Sequence, residues 1–170
     1  MSSHCLGSWT DFNTISIGRP ASSTGSNLRK QLEEIRLNSR RRASNWMDSV
    51  DAELEEVLEE CSSDNWDGYG APMVKEAAIT MARITARALN QMVRSSVPAP
   101  DVVPEVDGDI SLSWTRDHGR GFSLSVSDHH TLSFAGTIAK GIERHGTETF
   151  DGMDSGSLRE IAGYLERLYA

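Results

Sequence analysis

A chain of 170 residues suits one domain with appendages, and a hydrophobic content of 38% leaves part of it outside any core. The formal net charge of −8 excludes indiscriminate binding of phosphate backbones by the molecule as a whole. Cys5 and Cys61 form neither a disulfide framework nor a zinc pattern, no apolar run approaches a membrane span, and no signal-like start is seen, so the cytoplasm is the expected compartment.

Residues 1–25 are rich in Ser, Thr and Gly and read as a disordered or loosely docked arm, with Phe12, Ile15 and Ile17 as the residues able to dock. A helical stripe follows over 26–62: Leu28, Leu32, Ile35, Ser39, Ala43, Trp46, Val50, Leu54, Val57 and Cys61, with Met47 and Leu58 widening it. The spacings repeat as 4, 3, 4, close to the period of an undistorted helix, so the stripe holds one side. One unbroken helix would run roughly 50 Å. The alternative is two helices broken near Ser39–Asn45, with Asn45 capping the second.

Asn65-Trp66-Asp67-Gly68-Tyr69-Gly70-Ala71-Pro72 turns the chain. Pro72 is expected in the first turn of the next helix, where its missing N–H costs nothing. That helix should face the core with Val74, Ala78, Met81, Thr85, Ala88, Leu89 and Met92, Ala77 beside them, and present Glu76, Arg83, Arg87 and Arg94 outward. Val97–Pro100 ends it. The period then changes to two. Val102–Val106 reads as an edge strand because of Pro104. Ile110, Leu112 and Trp114, then Phe122, Leu124 and Val126, then Leu132 and Phe134 alternate with Ser, Thr and Ala, and Gly146–Phe150 is a candidate last strand. A closing helix bears Leu158, Ile161, Leu165 and Leu168, capped by Ser155 or Ser157. The expected fold class is α+β: an antiparallel four- to five-stranded meander over 63–170, covered on one face by helices and preceded by a long N-terminal helix.

The Asn65–Ala71 motif, with Asp109-Ile110-Ser111-Leu112-Ser113-Trp114 and Glu143-Arg144-His145-Gly146-Thr147-Glu148-Thr149-Phe150, resembles a group of small bacterial and phage-borne proteins. The likeness covers roughly residues 54–170. It implies a shared fold and a home on mobile elements, and brings no activity with it.

No P-loop, nucleophile elbow or HExxH helix is present, Gly68-Tyr69-Gly70 lacks the strand and third glycine of a dinucleotide site, and no catalytic residue, metal site or cofactor is expected. His118 and the pair His129–His130 fall in turns at opposite ends of a strand, which argues against one metal site. The turn residues Asn65, Trp66, Asp67 and Tyr69 serve either the corner itself or a ligand pocket. Asp48, Asp51, Glu55 and Glu59 share the outward face of the first helix, a carboxylate row suited to a basic partner. The expected function is that of a non-enzymatic protein-binding module, with Leu28, Leu32 and Ile35 as apolar anchor and the acidic row for orientation. Its partner would be an unidentified protein, such as a basic host defence protein that it inhibits, or a second copy met through the long helix. The runner-up is a small ligand- or metal-binding enzyme with its pocket at Trp66–Tyr69. Nucleic-acid binding through Arg40–Arg42 comes third.

Overall fold

In the computed structural model the described residues are 23–117, 119–150, 152 and 156–170, and within the first helix the described side chains are those of 30–37 and from 46 onward. Residues 1–22 of the N-terminal arm, His118, Ser155 and the side chains of Leu28, Ser39, Ala43, Asn45 and Arg40–Arg42, all named from the sequence, lie outside that set, and the last three residues of the expected arm, 23–25, open the first helix instead. The elements run α1 (Ser23–Glu60), α2 (Glu76–Met92), β1 (Asp101–Pro104), β2 (Ile110–Arg116), β3 (Arg120–Val126), β4 (Thr131–Ala139), β5 (Ile142–Thr149) and α3 (Gly156–Leu168). Met1–Ile35 and Arg36–Ala170 are separate compact units. The described side chains of the first, Lys30 to Ile35, are exposed on helical backbone. The second carries the sheet and the core.

The sheet is an antiparallel meander of five strands in the order β1-β2-β3-β4-β5. Its register makes the two-residue period of the sequence into two chemically distinct faces. Leu112 opposes Leu124, which opposes Phe134, and Val126 stands between Ile110 and Leu132. On the other face Ser111, Ser125, Ser133 and Thr147 form one row across four strands. A hydroxyl pair joins Ser111 and Ser123 at 2.6 Å.

The helices fill the apolar face. From α1 come Trp46, Val50, Leu54, Val57 and Cys61, all buried, with Met47 and Leu58 half-buried at the margin, as the stripe predicts. α2 packs on β2 and β3, and α3 on β3 and β4. Leu158, Ile161, Leu165 and Leu168 of α3 are fully buried. Aromatic rings link the layers: Trp46 stacks on Trp114 at 6.5 Å, Trp114 meets Phe122 at 6.4 Å, and Phe122 and Phe134 each meet Tyr164. Phe122 can lie flat against β4 only because position 136 is glycine. A Cβ there would fall 2.5 Å from the Gly121 carbonyl oxygen and 2.8 Å from the Phe122 Cα.

Three expectations are corrected. Pro72 is not in a first helical turn: α2 begins at Glu76 after an extended Lys75, because Met73 and Val74 are held by Asp64 and the Cys61 carbonyl. The buried face of α2 consists of Ala78, Ile79, Met81, Ala82, Thr85, Ala86 and Leu89, so it is rotated toward Ile79; Ala77 is exposed and Ala88 and Met92 are half-buried. Ser157 does not cap α3; its hydroxyl lies 3.3 Å from Glu148 instead.

Thr85 is fully buried and its Oγ1 has no hydrogen-bond partner. Replacing it with valine removes an unpaid desolvation cost at nearly constant volume, so Thr85→Val should stabilise the fold by about 1 kcal/mol in urea unfolding. Gly136→Ala should do the reverse, by about 2 kcal/mol or more, since the added methyl meets backbone rather than a movable side chain.

Candidate functional site

The turn from Cys61 to Lys75 is built almost entirely from its own polar groups. The Cys61 amide closes the end of α1 by donating to Val57 O at 2.9 Å. Asn65 adopts a left-handed conformation (φ 66°), which its short polar side chain tolerates, and its amide reaches across to the Ala71 carbonyl at 2.7 Å. Inside that closure Asp67 Oδ1 accepts from the Tyr69 amide at 2.8 Å and the Ala71 amide at 3.0 Å. Gly68 and Gly70 have φ of 76° and 98°, and a Cβ at either would touch nothing, so backbone conformation and not space requires glycine there. The Trp66 indole N–H donates to the Pro72 carbonyl, and Ala71 and Val74 are buried beneath.

The Trp66 indole and the Asp67 carboxylate are therefore engaged in holding the loop, and Asn65 joins it through its backbone N–H and C=O. The two backbone amides on Asp67 keep its carboxyl below the usual carboxylate range. Tyr69 is treated differently. Its side chain is 95% exposed at the tip of this hydrogen-bonded loop, with Pro72 and Met73 exposed nearby.

The acidic row divides in the same way. Asp51 is half-buried and its Oδ1 accepts from Arg83 Nε of α2 at 2.7 Å, so it joins two helices. Asp48, Glu55 and Glu59 are exposed, as are Glu56 and Glu60. Leu32 and Ile35 are exposed as well, and so is Leu37, which the stripe did not include. Glu53 went unnoticed in the sequence: its Oε2 accepts the Val102 amide of β1 at 2.8 Å while Oε1 takes the Ser49 hydroxyl. A glutamate in an acidic run carries no sequence signal that it will meet a strand 49 residues away.

Arg94 pairs with Glu166 of α3 at 3.4 Å, and Arg87 is exposed. An open depression of about 250 Å³ on α2 is lined by Thr80, Arg83, Ile84, Arg87, Ala88 and Gln91, away from the Trp66–Tyr69 turn. His129 lies 3.3 Å from Asp128, which also holds Lys75 at 2.6 Å; His130 sits at the turn with φ 60°, and His145 is on β5. The Lys75 ammonium draws the Asp128 carboxyl down, and is itself drawn up by it. Among the described residues no group of three or more His, Cys, Asp or Glu side chains could hold a metal ion.

Compared with family models, curated proteins and solved structures, the chain finds no match in any of the three.

Because Asp67 is depressed in the folded chain, its contribution to the turn is present above the unfolded aspartate pKa and is lost as pH falls through the lower, folded one. Amide exchange at Tyr69 and Ala71 should therefore accelerate relative to the core as pH drops through the acid range, once intrinsic rates are corrected. Asp67→Ala should show the fast exchange at neutral pH, and no difference between the two proteins would contradict the assignment.

Proposed function

We propose that this chain is a protein-binding module with no chemistry of its own, which meets a basic protein through the Tyr69 turn and the adjoining acidic end of α1. The observation that carries this reading is the presentation of Tyr69: a large amphipathic ring, almost wholly in solvent, on a loop whose conformation is already fixed by Asp67, Asn65 and Trp66. A pre-ordered tyrosine loses little conformational freedom on binding, which is why such residues dominate interface energetics. Exposed Glu55, Glu56, Glu59 and Glu60 precede the turn and supply the negative field that would steer a basic partner.

In this reading residues 26–62 act as one helix, and Leu28, Leu32 and Ile35 form a second, apolar contact. Exposure of Leu32 at 56% supports that role. The likeness to phage-borne proteins adds a home on a mobile element and inhibition of a host defence protein as the biological setting.

Capture of a partner from host extract, followed by affinity measurement on variants, tests the reading. Tyr69→Ala should weaken binding tenfold or more, corresponding to at least about 1.4 kcal/mol. Glu55→Lys with Glu59→Lys should slow association and flatten its salt dependence. Binding unchanged in both variants would contradict the proposal.

A further inference from the structure

The two edges of the sheet are finished in opposite ways. In an antiparallel ladder each residue points both its N–H and its C=O to one side, and the side alternates along the strand. At the β1 edge the Glu105 amide donates to Asp109 O, a hydrogen-bonded pair in line with the β1–β2 register. Counting back by twos, Val103 and Asp101 face β2, and Val102 and Pro104 face outward. The Val102 amide is taken by Glu53, and Pro104 has none. Both outward donors of β1 are closed, in a strand of only four residues.

Among the described residues β5 shows no such closure. The Phe150 amide donates to His130 O, which continues the β4–β5 register and makes Glu148, Gly146 and Arg144 the residues bonded to β4. The Ser127 amide donating to Thr131 O gives the same parity from the other side of β4. The outward N–H and C=O groups of β5 therefore belong to Glu143, His145, Thr147 and Thr149. β5 has eight residues, no proline and no lysine, and seven of the eight are exposed. Among the described residues one contact touches these groups: Arg144 Nη1 donates to the Glu143 carbonyl at 2.7 Å.

We propose that the β5 edge pairs antiparallel with β5 of a second copy, about a two-fold axis through Gly146. The sequence of β5 selects that occupant. A two-fold normal to the sheet keeps each face on its own side, so pairing residues must share parity. Centred on Gly146, the register opposes His145 with the partner's Thr147, and Glu143 with the partner's Thr149, which are outward-facing on both copies. It also sets Arg144 opposite Glu148 of the partner subunit, twice by symmetry, in the non-hydrogen-bonded pairs where side chains come closest. Arg144 then exchanges its contacts with the Glu143 carbonyl and with Tyr164 for that carboxylate, and among the described residues Glu148 meets only the Ser157 hydroxyl, at 3.3 Å. Centred on His145 instead, the register opposes His145 with itself and Glu148 with Ile142, and no opposite charges meet. The same charges deter unrelated strands, which would not supply the matching partner. This self-contact uses the sheet edge and none of the residues of the Tyr69 turn.

Light scattering of the full chain over a concentration series should show a mass rising toward twice 18.7 kDa. Thr147→Pro removes an outward amide that the sheet itself does not use, so it should remain folded by circular dichroism and stay monomeric. Arg144→Glu should weaken dimerisation tenfold or more, and Arg144→Glu combined with Glu148→Arg should restore it. A monomer at every concentration overturns the proposal and leaves the edge to a strand of another protein. A dimer that persists in Thr147→Pro overturns it as well, and a dimer indifferent to Arg144→Glu overturns the Gly146-centred register.

Discussion

The Ser127 amide donates to the Thr131 carbonyl at 3.0 Å, and the Ser127 hydroxyl accepts from the His129 and Thr131 amides, so the β3–β4 turn closes at one register with His130 in the left-handed region. A slip of one residue there would carry Leu132 and Phe134 to the solvent face and the serines inward. Because each later strand pairs with the one before it, the same contact decides which side of β5 faces solvent and which of its amides point outward. Core, polar face and open edge all inherit their placement from this turn.

The helices answer the register with aromatic packing. Trp114 is 1% exposed, its indole N–H satisfied by the Pro98 carbonyl, and its ring between Trp46 and Phe122. Pairs at these separations add to the stabilisation that burial alone supplies. Trp46 brings the end of α1 down onto the sheet, and the same length of helix delivers Glu53 to the β1 edge and Asp51 to Arg83. The acidic end of α1 is thus divided: Asp51 and Glu53 join it to α2 and β1, while Glu55, Glu56, Glu59 and Glu60 are exposed.

Much of this was legible in the sequence, and the reasons differ by element. Ile110-Ser111-Leu112-Ser113-Trp114 and Phe122-Ser123-Leu124-Ser125-Val126 alternate so cleanly that both strands and both faces could be written down in advance. β5 could not be read ahead of Gly146, because Ile142-Glu143-Arg144-His145 has no alternation; it is a strand since β4 offers it a ladder, not through any hydrophobic pattern of its own. The start of α2 was misplaced because Pro72 suits a helix locally, whereas Asp64 and Trp66, distant by six residues or more, hold it extended. At the turn, the residue types were visible but not their division of labour. Asp67 looks as functional as Tyr69 until its hydrogen bonds show that it holds the loop that Tyr69 crowns, a loop that Asn65 closes through its backbone. His129 and His130, conspicuous as a pair, belong to the turn that sets the register.

The assignment of both sheet edges depends on the parity of the sheet, and residue-resolved amide hydrogen exchange at two protein concentrations tests that parity directly. In dilute solution Arg144, Gly146 and Glu148 should be protected while Glu143, His145 and Thr147 exchange freely; at high concentration the second set should become protected too. Protection of Glu143, His145 and Thr147 in dilute solution with free exchange at Arg144, Gly146 and Glu148 would contradict the register, and with it the assignment of both edges.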